Sequence, residues 1–229
     1  MSSLQVQFEP ATYYHEVVIV PGVILSGGRS TRMGRPKALL AAGATETFVT
    51  RIARTLREGG VDGVVVVAPD EEMATEVRRA VGADAHPARV VVNPDPSRGQ
   101  LSSLLIGLRA IDRPGVDAML VTLVDIPLVS ADTVLRLIEA YRRSRAPVVR
   151  PAQAGLPNHG HPVLFDRALF AELREADLAR GAKSVVRAHL DDVLDVPVDD
   201  PGAFLDIDTP EAYVRAFGMP IPDDDSGAR

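Results

Sequence analysis

The chain of 229 residues contains no cysteine and no tryptophan. The first absence excludes disulfides, thiolate metal sites and a cysteine nucleophile, and leaves no sequence argument for an oxidising compartment. Aromatic residues make up only 4% and the net charge is -6, with an isoelectric point near 5.4. A nucleic-acid binder would show a basic face or stacking platforms, so that class is excluded and any anion site must be local. No apolar run approaches the ~20 residues that span a bilayer. The opening MSSLQVQFEPATYYHE lacks the charged and apolar regions of a secretory signal. A cytoplasmic protein without nucleic-acid or membrane partners is expected. Lysine is scarce too: of 25 basic residues only Lys37 and Lys183 are lysine, the other 23 being arginine. In so biased a chain, lysine stands where chance left it or where a compact point charge serves better than a planar fork.

What is present is an alternation of short β-branched runs and longer amphipathic segments. With 46% hydrophobic residues the chain can bury a substantial core, and one domain is expected. Strands are expected at 22–26, 63–69, 88–93, 118–125, 146–150 and 161–165, and more weakly at 193–198 and 204–208. Helices are expected at 46–58, 70–81, 101–112, 131–144, 166–176, 182–190 and 209–217. Strand and helix in strict succession through residue 144 imply parallel pairing with right-handed crossovers. The fold class is therefore α/β: a single-domain, Rossmann-like, mostly parallel sheet with helices on both faces, finished from residue 146 onward by a mixed edge. Residues 1–16 read as an irregular extension, 17–218 as the domain, and 219–229 as a disordered acidic tail.

Ligands of such sheets lie at the carboxyl ends of the strands, which here leads to the loops 26–36, 94–100, 125–130 and the segment around 208. The first, within LSGGRSTRMGRPKALL, sets Ser26, Gly27, Gly28 and Gly34 among Arg29, Arg32, Arg35 and Lys37. Glycines let backbone N–H groups approach a ligand and the cations neutralise it, which suits a triphosphate; a surface turn is the alternative. The stretch matches neither the Walker pattern nor the Rossmann fingerprint. Asp125 closes a continuously apolar run, a costly place for a charge unless a cation meets it, and Pro127 stops the strand. Ligation of Mg²⁺, which takes one or two carboxylates plus phosphates and water, is the favoured reading. Asp208 is as readily a helix cap as a ligand, because Asp-Thr-Pro-Glu also opens helices. Ser102 and Ser103 follow Gly99 as N-cap candidates, one of them free to read a base edge with Asn93. His161 suits a structural role as well as a ligand contact.

The order small-Gly-Gly-x-Ser-x-Arg-Met-Gly-x-x-Lys resembles the signature loop of nucleotidyltransferases with the nucleotide-diphospho-sugar transferase fold. Specifically it is similar to the molybdenum cofactor cytidylyltransferases and guanylyltransferases. NPDPSRGQLSSLLIGL (93–108) resembles their base-recognition segment, LVTLVDIPLVS (120–130) a metal-binding strand end, NHGHPVLF (158–165) an acceptor-side motif and DIDTPEAY (206–213) a second metal segment. The resemblance implies nucleotide binding by Leu25, Ser26, Gly27, Gly28, Arg32, Lys37, Asn93, Gly99, Ser103 and Asp125. Arg32, Lys37 and Asp125 would be catalytic, Asp125 and Asp208 would hold Mg²⁺, and His161 would contact the acceptor, with Asp206 structural. The implied reaction moves a nucleotide monophosphate from an NTP, with CTP favoured over GTP, onto the phosphate of a small acceptor such as the molybdopterin cofactor, releasing pyrophosphate. A molybdoenzyme or its chaperone is the implied protein partner. The same half-site would serve a sugar or polyol phosphate acceptor, or a non-catalytic protein that binds nucleotide and delivers cofactor.

Two departures stand out. Leu25-Ser26-Gly27-Gly28 is nearer the Leu-Ala-Gly-Gly of the guanylyl group than the Leu-Ala-Ala-Gly of the cytidylyl group, whereas SSL and GHPVLF point to the cytidylyl side. In LARGAKSV (178–185), Gly181 and Ala182 match the cytidylyl Gly-Asp-x-Gly-Ala-Arg run, but Lys183 replaces its arginine and Leu178-Ala179 its Gly-Asp pair.

Overall fold

The computed structural model, which describes residues 17–27, 33–82 and 86–221, converts the β-branched runs into one seven-stranded sheet. Strands β1 (Gly22–Leu25), β2 (Val64–Ala68), β3 (Arg89–Val92) and β4 (Ala118–Leu123) are mutually parallel. The sheet order is β3-β2-β1-β4-β6-β5-β7. Strand β6 (Val163–Asp166) runs antiparallel to both β4 and β5 (Val148–Gln153), and β7 (Val193–Val198) is parallel to β5. The result is the expected α/β domain with a mostly parallel sheet and one mixed edge.

The period of two along each strand divides the core in two. Ile24, Val64, Val66 and Leu120 face one layer with α1 (Phe48–Glu58), α2 (Glu71–Val81), α4 (Ala131–Ser144) and α7 (Pro210–Phe217). Val23, Leu25, Val65, Val67, Met119 and Val121 face the other, with α3 (Gln100–Ile111), α5 (Phe170–Glu175) and α6 (Lys183–Ala188). Met219 and Ile221 also pack against the first layer. Residues 1–16 and 222–229 lie outside the described residues. Among the described residues, no helix is long and apolar enough to cross a membrane.

Three expectations change. The stretch 204–208 is not a strand: Pro201 opens a 3-10 turn over Pro201–Phe204, and residues 205–208 are irregular, bonded to the sheet's loop by Ile207 N–H to the Asp125 carbonyl at 2.8 Å. Strand β4 ends at Leu123, because the Leu123 carbonyl accepts from Ile126 N–H at 3.2 Å and turns the chain, so Asp125 sits in the turn. Helix α3 starts at Gln100 with Gly99 as its cap at φ +87, so neither Ser102 nor Ser103 caps it.

Helix α3 can press onto β1 and β2 only because Gly107 lacks a side chain: a Cβ there would lie 2.5 Å from Val23 Cγ1. Gly107→Ala gains about 1 kcal/mol of helix propensity, but overpacking a core costs about 1–3 kcal/mol. At so short a contact the second effect wins, and a net loss of stability is expected from the midpoint of urea unfolding.

Candidate functional site

The site begins with how Lys37 is held. Pro36 precedes a single 3-10 turn, Lys37–Leu39, in which Leu39 and Leu40 N–H groups bond back to the Pro36 and Lys37 carbonyls. Ala38 and Leu40 are buried beside it and fix the turn to the core. The Lys37 side chain is left to cross to the next loop, where Nζ donates to Asp125 Oδ2 at 3.1 Å and to Asp208 Oδ1. Residues from three separated parts of the sequence therefore meet on one ammonium. Burial works against that charge, but the hydrogen bond and charge of Asp208 and of Asp125 outweigh it and hold the Lys37 pKa above its ordinary value.

Such a contact adds little to stability. Asp208 is 51% exposed, and pairs of this kind contribute about 0–1 kcal/mol. What it does is gather charge: two carboxylates against one ammonium, with Asp206 close enough to feel Asp125, Asp208 and Lys37. Burial first, then the Asp125 and Asp208 charges, push the Asp206 carboxyl above its usual pKa, against the pull of Lys37 and Lys183. Asp206, a structural residue by resemblance, thus belongs electrostatically to the cluster, and its D-x-D spacing from Asp208 is the sequence signal for it.

The ambiguity at the start of α7 resolves locally. Thr209 is the N-cap, its hydroxyl accepting from Ala212 N–H at 3.2 Å, and the Asp208 carboxylate points to Lys37 instead. Asp125 is bonded through one oxygen only. Its Oδ1 is buried with no hydrogen-bond partner among the described residues, as are Ser26 Oγ after β1 and Thr122 Oγ1 on β4. A buried unpaired acceptor costs about 1–3 kcal/mol, and these three lie at the carboxyl ends of neighbouring strands. Among the described residues no group of three or more His, Cys, Asp or Glu side chains is placed to hold a metal. A hard divalent cation that shares phosphate and water needs only one or two carboxylates. The open lone pairs of Asp125 beside Asp208 fit that need.

Beside this cluster runs a cleft of about 1290 Å³ lined by Gly27, Gly34, Arg35, Gly99, Gln100 and Ser103. Gln100 also lines the recess that contains Ser26, Lys37 and Asp125, and nothing in the sequence pattern singled it out. The cleft is large enough for a nucleotide. Gly27 faces Ser103: a Cβ at position 27 would sit 3.0 Å from Ser103 Oγ. Asn93 is buried and does not line the cleft; its Nδ2 donates to Ser102 Oγ at 2.8 Å and Ser103 Oγ at 3.0 Å, while its Oδ1 accepts from Asp95 N–H. Ser102 Oγ donates onward to the Gly99 carbonyl at 2.7 Å. Asn93 therefore sets the serines in place, and among the described residues the Ser103 hydroxyl, which lines the cleft, has no acceptor of its own. Leu25 is buried at the end of β1. Gly28 and Arg32 lie outside the described residues.

His161 precedes β6, its N–H donating to the Ala203 carbonyl at 2.9 Å. Burial pushes the imidazole below its usual pKa and the charge of Lys183 adds to this, against a hydrogen bond with the Val121 backbone and the Asp125 charge. Its Nδ1 is buried without a partner among the described residues. The two lysines of the chain thus both act on this acidic cluster, Lys37 from the first loop and the exposed Lys183 from α6.

The division of labour at 208 and 209 has a direct consequence. Thr209→Ala should cost about 1 kcal/mol of stability through the lost cap, whereas Asp208→Asn should leave chemical unfolding within about 0.5 kcal/mol of the parent, as for surface substitutions. Equilibrium denaturation of the two variants checks it.

Known proteins resemble this chain in sequence and in fold. The MobA-like NTP transferase domain matches residues 22–193. A nicotine blue oxidoreductase of Paenarthrobacter nicotinovorans is 35% identical over 205 residues, 86% of this chain and 95% of that protein. The molybdenum cofactor guanylyltransferase of Rhizobium meliloti is 30% identical over 208 residues, 86% of this chain and 89% of that one. The crystal structure of Rv0371C from Mycobacterium tuberculosis H37Rv in complex with manganese superposes with a TM-score of 0.68 at 27% identity, covering 88% of this chain and 100% of that one. On the extent of the domain match and the fold it accompanies, the chain belongs to the MobA-like NTP transferase domain family.

Proposed function

We propose that the protein is a nucleotidyltransferase that moves a nucleotide monophosphate from an NTP to a phosphate of a small acceptor. The observation that carries this reading is the Lys37 ammonium, 3.1 Å from Asp125 and bonded to Asp208, beside a nucleotide-sized cleft. In the proposed reaction an acceptor phosphate oxygen attacks the α phosphorus in line. The bond from that phosphorus to the bridging oxygen breaks, and pyrophosphate leaves with the electron pair. Lys37 faces the charge that develops at the α phosphate; its carboxylate partners hold the ammonium in position beforehand, so little reorganisation is needed during the reaction. Asp125 and Asp208 hold Mg²⁺, which supplies neutralisation of the phosphate oxygens when bound; the manganese in the Rv0371C crystal supports a divalent ion in this fold. Ser103 reads the base, and Arg32 in the first loop takes the terminal phosphates. His161 and Lys183 flank the acceptor side.

The molybdopterin cofactor is the proposed acceptor, supported by similarity to the Rhizobium meliloti guanylyltransferase. CTP is the nucleotide favoured by the SSL and GHPVLF segments, and the Leu25-Ser26-Gly27-Gly28 loop start is the feature nearer the guanylyl group. A second reading draws on the likeness to a nicotine blue oxidoreductase: the cleft would then serve redox chemistry, and no NTP would yield pyrophosphate.

Pyrophosphate release with Mg²⁺, CTP or GTP, and molybdopterin or a polyol phosphate tests these alternatives together. Release with molybdopterin is expected; none with any acceptor would overturn the reading. Asp125→Asn should abolish turnover, and Lys37→Ala should slow it by about 100-fold or more, the effect of deleting one preorganised charge-stabilising donor. Thermal shifts with CTP and GTP identify the base, since saturation at 100 times Kd adds about 2.7 kcal/mol of stability.

A further inference from the structure

The second carboxylate of the site, Asp208, lies beyond the residues matched by the family domain, 22–193, and outside any helix or strand. An irregular segment needs something to set it. From Asp200 to Ile207 the chain zips along the turn after β4 in the opposite direction. Asp200 Oδ2 accepts from Ser130 N–H at 2.9 Å and from Thr133 Oγ1 at 2.6 Å, and its Oδ1 accepts from Gly202 N–H at 3.1 Å. Gly202 follows against Leu128, so close that a Cβ would stand 2.0 Å from the Leu128 carbonyl oxygen. Ala203 packs with Ile126 and Val129, and Ile207 N–H closes the series on the Asp125 carbonyl at 2.8 Å. Asp125 and Asp208 thus stand at one end of a zipper whose other end is the Asp200 carboxylate at the N-terminus of α4.

We infer that Asp200 is a positioning residue for the metal-binding pair: by tying residues 200–208 to the start of α4 it sets Asp208 opposite Asp125. The inference rests on the proposed nucleotidyltransferase reading. The chemistry of the tie suits the task. A carboxylate at the first turn of a 14-residue helix is favoured by the helix dipole, and its bonds to one N–H and one buried hydroxyl fix both distance and direction. A hydrophobic contact at the same place would hold the segment without fixing its register. Groups that orient metal ligands without touching the ion change its affinity by about 10- to 100-fold when removed. Because Asp200 acts through eight residues of chain, the lower end of that range is expected.

The test uses the full chain and measures Mn²⁺ binding by electron paramagnetic resonance in the presence of a non-hydrolysable NTP analogue, well below the unfolding temperature. Asp200→Asn should weaken Mn²⁺ binding about tenfold. Thr133→Val, which removes the hydroxyl donor from the opposite side of the tie and keeps the side-chain volume, should weaken it in the same direction. Nucleotide binding without metal, followed by thermal shift, should remain within twofold for both. Asp208→Asn serves as the reference. If it weakens Mn²⁺ binding while both tie variants stay within twofold of the parent, the positioning role is overturned and the proposed function stands. If Asp208→Asn itself leaves Mn²⁺ binding unchanged, the metal pair on which the inference rests is overturned with it. A tie that served stability alone would lower the unfolding temperature of Asp200→Asn without moving the metal affinity, which also counts against the proposal.

Discussion

One ammonium shared by two carboxylates from distant parts of the chain is the contact on which the site depends. Lys37 reaches Asp125 across 88 residues and Asp208 across 171. The contact contributes little to stability because half of Asp208 faces water. It is better understood as charge held ready. Among the described residues the carboxylates of Asp125, Asp206 and Asp208 gather around the Lys37 ammonium, an excess of acidic groups that suits a divalent ion. Preorganised charge of this kind acts most strongly where water is partly excluded, as it is around Asp125 and Lys37, each less than a quarter exposed.

The fold supplies this contact by ordinary means. Parallel pairing of β1 with β4 brings Leu25 level with Leu123, so the loops that leave the two strands emerge side by side. The 3-10 turn at Lys37 and the turn at Asp125 are each pinned by buried neighbours, Ala38 and Leu40 in one case and Ile126 and Val129 in the other. The remaining carboxylate comes from a segment with no regular structure of its own, which borrows order from the zipper along residues 125–130. The acidic pair is therefore assembled from one rigid element and one tethered element.

Much of this was legible in the sequence because it follows from periodicity. The β-branched runs at 64–68 and 118–123 are buried on both faces and read as parallel strands, and lysine inside a glycine-rich loop marked Lys37. The rest depended on tertiary contacts that leave no local pattern. The stretch 204–208 reads as a strand by alternation, yet among the described residues it pairs with no strand, and Pro201 with Gly202 turns it against Leu128. Asn93 has the composition of a base contact, but burial turns its amide inward to two serines. Asp200 carries only the signature of a turn before proline; its bonds to Ser130 and Thr133 span about seventy residues and cannot be read from spacing.

The most direct test of the account is a crystal structure with Mn²⁺ and a non-hydrolysable NTP analogue, read by anomalous scattering. The account predicts a manganese peak between the Asp125 and Asp208 carboxylates, with the α phosphate against Lys37 Nζ and the base beside Ser103. A manganese peak elsewhere, or a nucleotide whose phosphates lie away from Lys37, would contradict it.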